Sequence, residues 1–278
     1  MKANTDKTIV NKGEVKSNGQ TLYWESYGEG KPLILIMGIG YDSTLWGLHQ
    51  VPFFSEHFKT IVFDNRDAGR SSKATKPYSI ADMADDLAGL MIGLDIERTH
   101  LLGLSMGGMI AQEFALRYPK KLEKLVLTGT GAANARSMYD PISIWSYVKT
   151  QDTNGLMFAA QQFIWLFSES FNRNHEAVNQ TLQMLASNPN PVSAEAYQRQ
   201  AEAYVKHDTL DRLNQVTAPT IVIAGEQDRL TPPWICKEVA DAIPNAEYEL
   251  IIGEGSSHVL PLERPDDFNQ VVLSFLQK

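Results

Sequence analysis

The chain has 278 residues, and its 25 Lys and Arg residues against 33 Asp and Glu residues give a formal net charge of −8 at pH 7. Apolar residues make up 43% of the chain and charged residues 21%, a composition that excludes a largely disordered or fibrous protein. The single cysteine, Cys236, excludes an intrachain disulfide and a cysteine zinc site, and an acidic chain without a basic run is not expected to bind nucleic acid.

The sequence contains no signal for a membrane partner or for secretion. Residues 1–8 are polar, and the longest strongly apolar run, 33–37, is far shorter than the roughly 20 residues that a membrane helix needs. We therefore expect a cytoplasmic protein. The length predicts one large domain, or one domain that carries an insertion.

After a predicted hairpin turn at Asn18-Gly19, short apolar runs alternate with segments of helical spacing. The runs are unbroken and rich in Leu, Ile and Val, which is typical of strands buried on both faces of a parallel sheet. The predicted strands are 33–37, 60–63, 100–104, 124–127, 220–224 and 248–252. The predicted helices are 79–93, which begins with a capping box at Ser79 and Asp82, and 106–118, 233–243 and 265–276. This alternation predicts an α/β doubly wound fold.

Residues 131–213 interrupt the alternation. They contain only two of the chain's 19 glycines but many Trp and Phe residues. Five apolar residues recur at three- and four-residue steps and predict one helical face: Leu156, Ala160, Phe163, Phe167 and Phe171. We therefore predict that residues 1–130 and 214–278 form the α/β core, and that 131–213 form a helical cap inserted between two strands.

A serine stands in the sequence Gly103-Leu-Ser105-Met-Gly107, between a predicted strand and a predicted helix. This setting is typical of a sharp strand-to-helix turn that raises a serine hydroxyl above the sheet edge, with glycines where side chains would collide. The helix N-terminus beside it would offer backbone N–H groups to a developing oxyanion. Ser105 is therefore the candidate nucleophile.

A serine nucleophile needs a base, and the chain has six histidines. His258 lies in a loop of small residues after the last predicted strand, where sheets of this kind place their sites. His100 begins a predicted strand and is expected to be structural. The remaining four lie in polar stretches and are expected to be solvated: His49, His57, His175 and His207.

Two carboxylates compete to orient His258, because Glu226 and Asp228 both follow the end of a predicted strand. The order Ser105, Asp228, His258 is the nucleophile, acid and base order expected of this fold, which favours Asp228. The alternative is that Asp228 is a turn residue that caps the helix after Pro232.

From about Gly19 to its C-terminus, the chain resembles the α/β-hydrolase superfamily. The motifs that carry the resemblance are Gly38-Ile39-Gly40, Asp64-Asn-Arg-Asp-Ala-Gly69-Arg-Ser71, the turn at Ser105, the acid turn at Asp228, and His258 followed by Leu262-Glu-Arg-Pro265. The resemblance implies a mostly parallel sheet flanked by helices, with a helical cap. The second of these motifs resembles that of 3-oxoadipate enol-lactonases and anthracycline methylesterases.

The resemblance also implies an oxyanion hole made by two backbone N–H groups, those of Ile39 and Met106. The chain departs from the family pattern at two positions. Met37 stands where the family usually has His, which removes a loop-orienting hydrogen bond but no backbone donor. Asp67 stands where the family usually has Gly, in a loop that is mainly structural.

The resemblance and the serine nucleophile imply hydrolysis of a carboxylic ester or lactone through an acyl-enzyme. Haloalkane and epoxide hydrolases of the superfamily use Asp at the position of Ser105. Carbon–carbon bond hydrolases share Ser-Met-Gly-Gly but typically have Trp directly after the catalytic histidine, where this chain has Val259. They stay an alternative, as do the hormone receptors of the superfamily, which bind a ligand and turn over slowly or not at all.

The predicted partner is a small-molecule ester or lactone in an apolar pocket, for which we expect four aromatic lining residues: Trp46, Trp145, Phe163 and Trp165. The cap is expected to decide substrate choice and not chemistry, since all three candidate catalytic residues lie outside it. Neither a metal nor an organic cofactor is predicted, because acyl transfer needs none and no clustered ligands are visible. A homo-oligomer is left open.

Overall fold

The structure is a computed structural model that describes residues 10–133, 141–152 and 155–278. The polar N-terminal stretch and residues 134–140 and 153–154 of the predicted cap lie outside the described residues. The described strands form one eight-stranded sheet in the order β1-β2-β4-β3-β5-β6-β7-β8. Their bounds are β1 Asn11–Ser17, β2 Gln20–Tyr27, β3 Pro32–Ile36, β4 Lys59–Phe63, β5 Thr99–Leu104, β6 Leu122–Thr128, β7 Thr220–Gly225 and β8 Glu247–Ile251.

The helices fall into two groups, those that flank the sheet and those between β6 and β7. The flanking helices are α1 Gln50–Phe54, α2 Ile80–Gly93, α3 Met106–Arg117, α9 Pro233–Ala242, α10 Leu260–Glu263 and α11 Pro265–Gln277. The helices between β6 and β7, called the inserted helices below, are α4 Pro141–Gln151, α5 Leu156–Leu166, α6 Glu169–Arg173, α7 His175–Ala186 and α8 Ala194–Val205. None of the helices in the described part of the chain combines the length and the apolar character needed to cross a membrane.

The sheet is mostly parallel. Strand β1 pairs antiparallel with β2, and β2 pairs antiparallel with β4, whereas every other neighbouring pair is parallel. The parallel strands lie between two apolar layers: Ile34 and Ile36 of β3 belong to one buried cluster, and Leu33 and Leu35 belong to the other. The predicted fold class is confirmed. The prediction that the strand near 248–252 is buried on both faces is wrong, because β8 is an edge strand in which Glu247, Glu249 and Leu250 are exposed.

Two local signals in the sequence produce the predicted structures. Asn18 and Gly19 join β1 to β2 with φ values of 46° and 75°, the left-handed pair that a two-residue type I′ hairpin turn requires. At the start of α2, the Ser79 hydroxyl accepts from the Asp82 N–H at 3.2 Å and the Ser79 N–H donates to Asp82 Oδ2 at 2.8 Å. This reciprocal pair is the predicted capping box.

The predicted aromatic face does not belong to one helix. Helix α5 ends at Leu166, and Ser168 caps the N-terminus of α6, because its hydroxyl accepts from the Phe171 N–H at 3.2 Å. The rings nevertheless stack across the break, with centroid distances of 4.9 Å from Phe163 to Phe167 and 4.1 Å from Phe167 to Phe171. Although the backbone turns between α5 and α6, ring stacking keeps these aromatic residues together on one face.

The prediction that His207 is solvated is wrong, since only 6% of this residue is exposed. The chain returns from α8 to the sheet core here, where His207 Nε2 lies 3.3 Å from Thr209 Oγ1 and a bridge joins Asp208 to Ala133. Burial lowers the pKa of His207 to about 4. A polar stretch that looks like surface therefore carries a buried, neutral imidazole.

Candidate active site

Ser105 lies at the sharp turn between β5 and α3. Its φ of 57° and ψ of −121° fall in a region that residues other than glycine rarely adopt. A Cβ at Gly103 would lie 2.4 Å from the Gly107 carbonyl oxygen, and a Cβ at Gly107 would lie 2.1 Å from the Ile36 carbonyl oxygen. Glycine is thus sterically required on both sides of the serine, as the sequence pattern predicts.

Hydrogen bonds to the Ser105 backbone hold this strained turn in place. The Ser105 N–H donates to the Thr128 carbonyl at 3.0 Å, and the Ser105 carbonyl accepts from the Gly108 N–H at 2.9 Å and from Thr130 Oγ1 at 2.8 Å. Met106 is the first residue of α3, and the first N–H groups of a helix have no acceptor within the helix. The Met106 N–H is therefore available to a ligand next to Ser105.

His258 and Asp228 are 30 residues apart in the sequence and are in contact in the fold. His258 Nδ1 lies 2.9 Å from Asp228 Oδ2, and both residues are buried, with 3% and 4% of their surface exposed. An ionised carboxylate can only accept, so in this pair Nδ1 carries the proton and Nε2 is left as the basic nitrogen.

The two competing carboxylates have different partners. Asp228 Oδ1 accepts the N–H groups of Leu230 and Thr231 at 2.9 and 2.8 Å, so Asp228 also stabilises its turn, as the alternative interpretation expects. Glu226 Oε2 instead accepts the Gly253 N–H at 2.8 Å. One Asp228 oxygen therefore fixes the loop and leaves the other to face the histidine.

Thr231 is a site residue that the sequence reasoning missed. Its hydroxyl donates to Asp228 Oδ2 at 2.7 Å and lies 3.1 Å from His258 Nδ1. A turn aspartate commonly bonds groups within the next few residues, so a hydroxyl three residues after Asp228 is the signal that could have identified Thr231.

Ser105 and His258 line one cavity of about 60 Å³. At 10–15 Å³ for each water, this is room for about four to six water molecules. The described residues that line it include no Asp, Glu, Lys or Arg. Beyond Ser105 and His258, the polar side chains on its wall are those of Tyr41, Gln162 and Thr181. The cavity therefore favours a small, uncharged ligand.

The structure brings only two of the four predicted aromatic residues to this cavity. Trp46 and Trp145 line it and are almost fully buried. Phe163 and Trp165 are not among the residues that line it, and 38% of Trp165 is exposed. Gln162 and Leu166, four residues apart on α5, both line the cavity. Phe163 follows the first and Trp165 precedes the second, so each is rotated by about 100° around the helix and points elsewhere.

The loop after β3 approaches the nucleophile closely. A Cβ at Gly38 would lie 3.2 Å from Ser105 Cβ, and Ile39 lines the cavity beside it. Asn65 Nδ2 donates to the Met37 carbonyl at 3.0 Å, and Asn65 is buried. A side chain from the neighbouring strand end thus orients this loop, where the family would usually use a histidine at the position of Met37.

Asp67, the other departure from the family pattern, also has a partner. Its φ of 69° is left-handed, the conformation in which glycine is easiest to accommodate. Its carboxylate accepts from Arg199 of α8 at 2.8 and 2.7 Å, and Oδ1 also accepts the Ala74 N–H at 2.9 Å. The aspartate therefore ties an inserted helix to the core.

The single cysteine lies behind the candidate site and is not a second nucleophile. Cys236 is fully buried, with Sγ 3.5 Å from the Thr130 carbonyl, and burial raises the pKa of its thiol to about 12. The thiolate is the reactive form, so this protonated thiol is inert. In the described ranges, no three His, Cys, Asp or Glu residues are grouped so that they could hold a metal ion.

Comparison with known protein families identifies the family of this chain. A family model described as the alpha/beta hydrolase fold matches residues 31–265. The chain belongs to the α/β-hydrolase family. The match covers both β3, with the loop after it, and the loop that carries His258.

Relatives of this hydrolase-family chain have different names. The provisionally named non-heme bromoperoxidase BpoC of Mycobacterium tuberculosis is 30% identical over 257 residues, which cover 91% of this chain and 97% of that protein. The provisionally named carbamate hydrolase RutD of Pantoea ananatis is 29% identical over 273 residues, covering 92% and 94%.

A solved structure extends the similarity to three dimensions. The enol-lactonase from Burkholderia xenovorans LB400 superposes with a TM-score of 0.84 at 27% identity, and the match covers 96% of this chain and 100% of that one. The shared family therefore includes proteins with several named activities on one fold.

Proposed function

We propose that this chain is a serine hydrolase that cleaves carboxylic esters or lactones, with Ser105 as nucleophile, His258 as base and Asp228 as the acid that orients it. The observation that carries the proposal is the buried 2.9 Å pair between His258 Nδ1 and Asp228 Oδ2, on the wall of the cavity that Ser105 also lines. The enol-lactonase named above supports lactones as one substrate type.

In the proposed reaction, His258 Nε2 takes the Ser105 proton while Oγ attacks the substrate carbonyl. The negative charge that develops on the carbonyl oxygen accepts hydrogen bonds from the Ile39 and Met106 N–H groups. His258 then returns its proton to the leaving alkoxide, and an acyl-enzyme remains. Water repeats the cycle and releases the carboxylic acid.

We further propose that residues 131–213 act as the cap of this site. Trp145 of α4 and Leu166 of α5 line the same cavity as Ser105, and they present apolar surface to the ligand. Such surface discriminates between acyl groups by size but supplies no proton carrier. Substrate choice is therefore assigned to the cap, and bond cleavage to the strand-end loops.

The cavity's charge supports this proposal over carbon–carbon bond hydrolysis. That reaction acts on dienone acids, whose carboxylate would be buried without a cationic partner, because the described lining residues include no Lys or Arg. An unpaired buried charge is strongly unfavourable. The residue after His258 is also Val259, not Trp. A neutral ester or lactone fits the site better.

The decisive test is Ser105→Ala with a panel of p-nitrophenyl esters, lactones, a carbamate and a dienone acid. We expect kcat for esters to fall by about four to six orders of magnitude while the fold is kept. Ser17→Ala is the matched control, since Ser17 and Ser105 are each 6% exposed and Ser17 lies on β1, where its hydroxyl donates to the Asp86 carbonyl.

A serine-directed organophosphate should label Ser105 alone, as detected by mass spectrometry of the digested protein. Ester hydrolysis within tenfold of the wild-type rate in purified Ser105→Ala would disprove the proposal. A burst of about one product per chain followed by arrest would instead indicate a ligand-binding receptor of the same superfamily.

A further inference from the structure

The loop that carries Ile39 is bonded to the inserted helices at three consecutive residues. Each of the three bonds reaches a different inserted element, namely α8, α5 and the turn after α7. The bonds are Gly40 N–H to Gln200 Oε1 at 2.9 Å, Tyr41 Oη to Gln162 Oε1 at 2.7 Å, and Asn188 Nδ2 to Asp42 Oδ2 at 2.8 Å. The cap therefore contacts the machinery of the proposed reaction as well as the substrate.

Gln200 makes the most buried of these contacts. It is 0% exposed, and its Nε2 donates to the Arg66 carbonyl at 3.0 Å while its Oε1 accepts from Gly40. Helix α8 packs tightly here, since a Cβ at Gly40, whose φ is 78°, would lie 2.6 Å from Tyr197 Cε2. Both the nitrogen and the oxygen of the Gln200 amide are thus hydrogen-bonded, so this side chain is itself immobilised and can restrain the loop at Gly40.

The loop is then restrained on both sides of Ile39. The core residue Asn65 holds the Met37 carbonyl, and Gln200 holds the Gly40 N–H. With the flanking peptide groups fixed, the Ile39 N–H has little freedom to turn away from the position of the developing oxyanion. Such a preorganised donor stabilises the transition state more than the bound substrate.

We propose that Gln200 is a positioning residue for the oxyanion hole, so that docking of the cap helix α8 completes the catalytic site. This inference rests on the proposed function, because it assumes that the Ile39 N–H binds an oxyanion. It also amends the expectation that residues 131–213 decide substrate choice and not chemistry.

The test is Gln200→Met, which keeps the length of the side chain but removes both hydrogen bonds. We expect kcat for p-nitrophenyl acetate to fall about 10- to 100-fold, with KM changed less than threefold, because a displaced donor loses part of the 10²–10³ that a deleted one costs. The affinity for an alkyl boronic acid, whose serine adduct is tetrahedral, should fall by the same factor as kcat/KM. The affinity for the matching carboxylic acid product should change less than threefold.

Two controls separate positioning from a general loss of stability. Gln112 is also 0% exposed, with Nε2 bonded to the Gly131 carbonyl and Oε1 to the Thr209 hydroxyl, so Gln112→Met removes an equivalent pair of bonds elsewhere. Gln112→Met should lower the melting temperature about as much as Gln200→Met does, but it should leave kcat within about threefold of the wild-type value. Gln198→Met on the exposed side of α8 should change neither.

If Gln200→Met does not fold, Asn188→Ala, which removes the half-buried bond to Asp42, should lower kcat about two- to fivefold with an unchanged KM. Boronic acid and product affinities that fall together in Gln200→Met, or an unchanged kcat in both variants, would overturn the inference. If Ser105→Ala is inactive in the same series, either of these outcomes overturns only the role of Gln200 and still supports the proposed function.

Discussion

Helix α3 of the sheet core and helix α7 of the inserted group are packed to very different degrees. Helix α3 and helix α7 are both 12 residues long, yet ten residues of α3 are buried and none of α7 are. The other inserted helices do join the main apolar cluster, for example through Trp145 and Tyr197. Polar contacts between this part of the chain and the core, such as Arg199 to Asp67 and Ser168 to Glu263, add to that packing. In the proposed function, the three candidate catalytic residues therefore lie on the core, and the inserted helices that line the cavity include one, α7, with no buried residue.

The largest effect is expected from a substitution in the sheet core. Asp228→Asn should lower kcat about 10⁴-fold, because the amide no longer selects the His258 tautomer with a basic Nε2. Glu226→Gln should lower kcat less than tenfold, because Glu226 braces the Gly253 backbone and does not contact the histidine. Steady-state rates on p-nitrophenyl acetate measure both, with melting temperatures as the folding check. Equal losses, or the reverse order, would identify Glu226 as the acid.

A second test addresses the junction between the two parts. The pKa of His207 is about 4 in the folded chain against 6.5 for an ordinary histidine, so between these pH values the unfolded chain binds a proton that the native chain does not. The resulting stabilisation is fully present above pH 6.5 and is lost as the pH falls towards 4. We expect the free energy of unfolding to fall by about 2–3 kcal/mol from this residue between pH 7 and pH 4.5.

Urea unfolding of His207→Gln at the two pH values measures this contribution, since the variant should lose less stability on acidification than the wild type. His100, whose pKa burial also lowers to about 4, contributes equally to both proteins and cancels. His175→Gln on the exposed surface of α7 is the control and should behave as the wild type does. Identical pH dependence in all three proteins would show that His207 is not buried in solution.

The smallest expected effect concerns the inserted helices, which we propose act as the cap. Trp145→Phe should enlarge the cavity and shift the preference for octanoate over acetate esters by about 1–2 kcal/mol, as expected for a methylene-scale change in a pocket. Trp165→Phe makes the same substitution at a residue that is 38% exposed and should leave the preference unchanged. The measurement is kcat/KM across acetate, butyrate and octanoate esters. A shift in Trp165→Phe alone would reverse the assignment of these two residues.

Local sequence signals were sufficient for the sheet and for the candidate triad. Strands β3 to β7 contain continuous apolar runs, and the turn at Ser105 is marked by glycines whose replacement would collide with backbone. Asp228 and His258 could be paired in advance because the carboxyl ends of parallel strands meet at one edge of the sheet. In these places a short stretch of chain contains the whole physical reason for its structure.

The remaining features depend on contacts between distant segments. Helical spacing predicts that residues share a face but not which face meets the cavity, so Phe163 and Trp165 were assigned to it incorrectly. His207 is buried by the return of the chain to the core, which its polar neighbours do not indicate. Gln200 is one of several glutamines in α8 and α5, and only the fold distinguishes it by bringing it to Gly40.

The left-handed backbone at Asp67 has a consequence for how this chain can diverge. A non-glycine residue in that conformation costs about 1–2 kcal/mol, and here the bidentate contact with Arg199 offsets the cost. Losing Arg199 alone would leave a strained, buried carboxylate without its ion-pair partner, and changing Asp67 alone would remove this bond between α8 and the core. The two positions are therefore coupled, and we expect homologues with glycine at position 67 to lack arginine at position 199.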